Sequence, residues 1–213
     1  MNASATPRLD DLQTLTQRYA TYSRSAGGLS NVFGAVLVAA AFSIAAFLPL
    51  DASSRAALAL TPFVWLLSKA LLRRFYYQRF GGVVQKVAPE LRRQRRWMLG
   101  YLIAVSTLIV CTVVWKAGFV ALRPGMLGYL LLVAALPFVA WRWFWSVSDF
   151  YLGILLFCQA AVVFAGGRYS GAWLFFVFGC AAFAIFAGVR EHRDFLRIRD
   201  ALGLGAGVGA ETS

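Results

Sequence analysis

Residues 29–50 read LSNVFGAVLVAAAFSIAAFLPL, a run without one charged side chain. A helix rises about 1.5 Å per residue, so this run covers the roughly 30 Å hydrocarbon core of a bilayer. Five more apolar stretches follow, at Ala56–Leu72, Trp97–Trp115, Met126–Trp145, Phe150–Gly167 and Tyr169–Val189. Of the 213 residues 60% are hydrophobic and only 14% charged, where soluble domains run about 25% charged. The chain therefore reads as all-α, a polytopic membrane protein with a six-transmembrane-helix bundle. The composition excludes a disordered chain, a collagen-like chain and a disulfide scaffold.

Outward from the spans, the links are short: Asp51–Arg55, Lys116–Gly125, Ser146–Asp149 and Gly166–Ser170. Short links place successive helices antiparallel. The exception is 73–96, RRFYYQRFGGVVQKVAPELRRQRR, with eight basic residues and one acid. With the N-terminus inside, the inner segments hold 17 of the 21 lysines and arginines and the outer ones 4. That bias predicts both termini cytoplasmic, with Trp97, Trp141, Trp143 and Trp145 at the inner interface. It also accounts for the net charge of +12 without invoking nucleic acid. Lys69 is expected to snorkel from the end of the second span. Pro62 and Pro137 lie within spans two and four and are expected to kink them.

Three segments result. Residues 1–28 are an N-terminal cytoplasmic amphipathic segment. Thr6-Pro7 opens a helix over about 7–25 whose Leu9, Leu12, Leu15, Tyr19 and Tyr22 recur every three or four residues, as in a helix lying on the membrane surface. Residues 29–189 are the six-span transmembrane domain, with the basic cytoplasmic loop at 73–96. Residues 190–213 are a cytoplasmic extension of the sixth helix and a glycine-rich tail. With no cleavable leader and a strong inside-positive bias, the expected location is a bacterial-type inner (plasma) membrane.

Catalytic chemistry is hard to find. The cysteines Cys111, Cys158 and Cys180 are odd in number, form no CxxC pair and read as small buried hydrophobes. No Asp, Glu or His is expected deep in a span, which counts against proton- or sodium-coupled carriers. His192, the one histidine, falls in the charged tail and reads as solvated. Residues 167–171, GRYSG, invite comparison with membrane serine proteases, but the histidine lies across the membrane from that serine. Neither a metal nor a cofactor is expected.

Two groups of residues carry other expectations. In the basic loop Arg74, Tyr76, Tyr77, Arg79, Phe80, Arg92, Arg93, Arg95 and Arg96 form a candidate surface for a partner or for anionic membrane lipids. Ala35, Ala39 and Ser43, and likewise Cys180, Ala184 and Gly188, recur every four residues as small faces for helix packing. Gln159 is expected to hydrogen-bond between helices. The reading is a non-catalytic integral membrane protein, an interaction or accessory subunit with a protein partner or a homo-oligomeric state. The alternative is a transport subunit, the permease-like half of an ATP-driven exporter or a channel. Its outline, a surface helix before six spans with a cytoplasmic loop after the second, is similar to such permeases, although the link between spans five and six is shorter here. A lipid-handling enzyme ranks third, since such chemistry needs an Asp/His or metal–carboxylate cluster.

Overall fold

The structure, a computed structural model, describes residues 9–26, 28–77, 89–117, 124–164 and 171–203. The helices are α1 (Leu9–Ser25), α2 (Leu29–Phe47), α3 (Ala52–Ala59), α4 (Thr61–Leu72), α5 (Pro89–Ala117), α6 (Pro124–Trp143), α7 (Val147–Phe164) and α8 (Gly171–Ala201). A π-helical turn, Arg73–Tyr77, prolongs α4. No strand occurs among the described residues. Six stretches are long and apolar enough to cross a membrane: α2, the run Ala52–Tyr77, Arg92–Trp115 in α5, Met126–Trp143 in α6, α7 and α8. The chain is thus an all-helical integral membrane protein by length and composition. One end of the bundle gathers α1, Tyr77, the start of α5 and the last turns of α8, and is called the basic end below.

The second span is not one helix. Asp51 caps α3, accepting from Ser53 Oγ at 2.5 Å and Ser54 N at 2.9 Å. Those bonds hold its carboxyl at about 2, against an ordinary 3.8. The chain is interrupted at Leu60, and Pro62 stands in the first turn of α4. There its missing N–H lacks nothing, and the disturbance expected at Pro62 takes the form of this break between α3 and α4. Pro137 does lie inside α6.

The core forms around α2, which packs on α4, α7 and most extensively on α8. Ala35, Val38, Phe42, Trp65, Leu152 and Leu156 are among its buried members. The α2–α8 crossing rests on two glycines. Gly28 has φ +83°, a left-handed conformation that suits glycine, and a Cβ there would strike the Gly188 carbonyl. A Cβ on Gly188 would stand 2.6 Å from the Gly28 carbonyl oxygen. Of the small residues expected to pack, Ala35, Ala184 and Gly188 are buried within this one chain. Ala39, Ser43 and Cys180 are half-buried, and Ser43 Oγ donates back to Ala39 O at 2.8 Å. Gln159 is buried on α7. The cysteines depart from the sequence reading: Cys111 and Cys158 are exposed and Cys180 intermediate, because they stand on the outward sides of α5, α7 and α8.

A second, smaller cluster closes the basic end. The last turns of α8 continue past Val189 and offer Phe195 and Ile198 as an apolar surface. Tyr19 of α1 stacks on Phe195 with ring centroids 5.4 Å apart, and Tyr77 meets the same ring edge-on at 4.7 Å. The side of α1 bearing Leu15, Tyr19 and Tyr22 is therefore packed on protein.

Candidate functional site

The sequence concentrates arginine and aromatic residues in 73–96, and the structure divides them. Residues 73–77 belong to the π-helical turn and 89–96 to α5, so both flanks of the expected loop are helical. Arg79 and Phe80 lie outside the described residues. Arg74, Arg92, Arg93 and Arg96 are exposed, Tyr76 is half-buried and Tyr77 is buried.

Arg95 has a separate task. Its Nε donates to Phe144 O at 3.0 Å, a terminal nitrogen donates to Trp141 O, and the guanidinium lies 4.0 Å from the Trp145 ring centroid. A helix leaves its last carbonyls without partners. Arg95 supplies donors to those of α6 and fastens α5 to the α6–α7 turn. Arg73 and Arg142 lie over the Trp143 ring, 5.9 and 5.7 Å from its centroid.

One turn inside the basic end is a group of charges that the sequence reading missed. Lys69 Nζ lies 2.5 Å from Asp149 Oδ1, with the side chains 2% and 0% exposed. Asp149 Oδ2 accepts from Trp145 N at 2.9 Å and Ser146 N at 3.1 Å, and Asp149 N donates to Ser146 Oγ at 3.2 Å. This reciprocal arrangement caps α7. Beside it, Glu191 of α8 accepts from Ser148 Oγ at 2.6 Å and from Asn31 Nδ2 at 3.3 Å. Both Lys69 and Asp149 act on Glu191 electrostatically. The group thus ties α2, α4, α7 and α8 together at one level.

Three expectations are corrected here. Lys69 does not snorkel: Pro62, Trp65, Leu66 and Lys69 share the buried face of α4, so the ammonium is carried inward to Asp149, 5.5 Å from the Trp65 ring centroid. Asp149, read as the last residue of the link between spans four and five, is instead the third residue of α7, and its side chain is buried. His192 also differs from a solvated tail residue. Its Nδ1 shares a 3.1 Å hydrogen bond with Tyr77 OH, and its ring stacks on Phe195 with centroids 6.4 Å apart. The signal for Lys69 was its four-residue spacing from Trp65, which places both on one helix face.

The arrangement is suited to holding four helices in register. Among the described residues, no group of three or more His, Cys, Asp or Glu is placed to hold a metal ion. Comparison with protein-family models, curated proteins and solved structures finds no match to this chain.

Proposed function

We propose that the chain is a non-catalytic interaction or accessory subunit of a bacterial-type inner membrane, with both termini cytoplasmic. In this reading its basic inner face docks an acidic surface on a protein partner. The observation that carries the reading is the inner end of α5. This helix packs mainly on α6, and it presents Arg92, Arg93 and Arg96 with Trp97 and Tyr101, all exposed, at one end. Exposed arginine beside exposed aromatic rings is the composition of interface anchors. The interior charges do not compete for this role, since Lys69, Asp149 and Glu191 engage one another's helices.

The test is native mass spectrometry of the tagged chain, gently extracted from its own membrane. A stoichiometric second protein is expected. Arg92→Gln, Arg93→Gln and Arg96→Gln together should release it while Arg95 stays in place to hold the fold. A lone chain in the wild type, or a partner indifferent to the triple substitution, overturns the reading.

One observation favours the transport alternative: ionisable residues buried within spans commonly mark ion or substrate paths, and Lys69–Asp149 is such a pair. An ATPase as the co-purifying partner would move the assignment there.

A further inference from the structure

On the outside of the bundle, the first turns of α2 run beside the last turns of α4. Between them runs an open groove of about 570 Å³, lined by Leu29, Phe33, Ser68, Leu71, Phe75 and Tyr76. Its volume falls within the range of about 300–1,000 Å³ typical of ligand sites. From Ser68 to Tyr76 it follows the helix for roughly 12 Å, at 1.5 Å per residue. The wall holds no charged side chain, and Phe33, Leu71 and Phe75 are exposed. At the basic end the groove stops at the π-helical turn, a rare conformation that recurs at functional sites.

Arg74 stands at that rim. Its guanidinium lies 5.8 Å from the centroid of the Phe75 ring, which is itself part of the wall. Arg74 is exposed and makes no ion pair among the described residues. The neighbouring Arg73 is turned away, toward Trp143 of α6. An open apolar groove along a membrane span, with an exposed guanidinium beside its wall at Phe75, matches a molecule with a hydrocarbon tail and an anionic head.

We propose that this groove binds one anionic phospholipid, with an acyl chain along Phe33, Leu71 and Phe75 and the phosphate at Arg74. Guanidinium is suited to this role because its N–H groups fit phosphate oxygens in pairs. The wall alone gives little selectivity, since one lipid tail is as apolar as another. Selectivity comes from the head group. The site is separate from the α5 surface of the proposed function and stands or falls without it.

The test uses purified, delipidated chain in mild detergent, offered phosphatidylglycerol and phosphatidylcholine of identical acyl composition and examined by native mass spectrometry. One phosphatidylglycerol per chain should be retained, preferred about fivefold, the effect of one arginine near an anionic head group. Arg74→Gln should bring that preference to near unity with the melting temperature unchanged. Leu71→Trp, at an exposed position of the wall, should remove retention of both lipids. Equal retention of the two by the wild type overturns the proposal. So does a preference that survives both substitutions, which would place the lipid elsewhere on the basic end. A dimer that Leu71→Trp dissolves would identify a second copy of the chain as the occupant and would also overturn it.

Discussion

The most apolar 18-residue stretches of α2 and α5 are about equally hydropathic, yet 39% of the first is buried inside the protein and only 11% of the second. The difference lies in what each helix lets approach. Along α2, Ser30, Asn31, Gly34 and Ala35 are small or polar and buried. Gly28 admits the backbone of α8, and Gly34 leaves room for Trp65 and Leu152, whose atoms would stand 2.5–2.7 Å from a Cβ there. The Ser30 carbonyl accepts from Trp65 Nε1 at 2.9 Å. On α5, Trp97, Tyr101, Ile103, Leu108 and Trp115 are all more than half exposed. Between helices in lipid there is no hydrophobic force to choose a face, so close packing and polar contacts choose it. Hydropathy fixes that a helix enters the membrane; small and polar residues fix whether it enters the protein.

The comparison is broken most severely at the charges that hold the neighbours of α2. Lys69→Met leaves Asp149 buried without its counterion, and removing one member of a buried pair costs about 3–5 kcal/mol. Lys69→Met with Asp149→Asn should recover most of that loss, because the amide oxygen still accepts from Trp145 N and Ser146 N. The exchange Lys69→Asp with Asp149→Lys should not recover it, because an ammonium cannot accept the two backbone donors that cap α7. Thermal unfolding of the detergent-solubilised chain, followed by size-exclusion chromatography, measures all three. If the exchange restores stability as well as the Met–Asn pair does, the capping role assigned to Asp149 is wrong.

A smaller effect is expected where α2 meets α8. In Gly188→Leu even the Cβ is 2.6 Å from the Gly28 carbonyl oxygen, and backbone cannot step aside as a side chain can. Overpacking of this kind costs about 1–3 kcal/mol. Gly179 lies on the same helix, and a methyl group added there would meet nothing within 4 Å. Gly179→Ala should therefore be neutral or stabilise by about 0.5–1 kcal/mol, as alanine does for glycine inside a helix. The same unfolding assay compares the two, and equal losses would show that α8 is sensitive along its whole length.

The number of membrane helices and their order were legible because a 20-residue apolar run is a coarse signal that survives errors of several residues at its ends. The charge cluster was not legible for a related reason. A helix apolar on every side shows little periodicity, so nothing in α4 or α7 taken alone says which face turns inward. Asp149 looked like part of a link because α7 starts two residues before it, at Val147. Lys69 looked like an interfacial lysine because its distance from the end of the span was read without its angle around the helix. The arginines of 73–96 drew notice by number, and number did not separate Arg95, which bonds to α6, from Arg93, which is exposed. The meeting of Tyr77 with His192 joins residues 115 apart in sequence, and no local pattern announces such a contact.

The smallest effect is expected on α5, and it tests the comparison from the other side. Leu108 is 68% exposed on α5, whereas Val38 is fully buried on α2. Leu108→Ala removes more atoms than Val38→Ala, so a rule based on hydrophobicity alone ranks it as the more damaging. Packing predicts the reverse. The side chain of Leu108 mostly touches what surrounds the bundle, so its truncation should change stability by no more than about 0.5 kcal/mol. Val38 is enclosed by the core around α2, and its truncation leaves a cavity that the neighbouring helices cannot fill by moving, because Gly28 and Gly188 already hold α2 and α8 at contact. Unfolding of both variants in the same detergent decides between the rules. A loss at Leu108 as large as that at Val38 would mean that α5 is covered in the isolated chain by a second copy, and the oligomeric state of the Leu108→Ala protein would then fall with its stability.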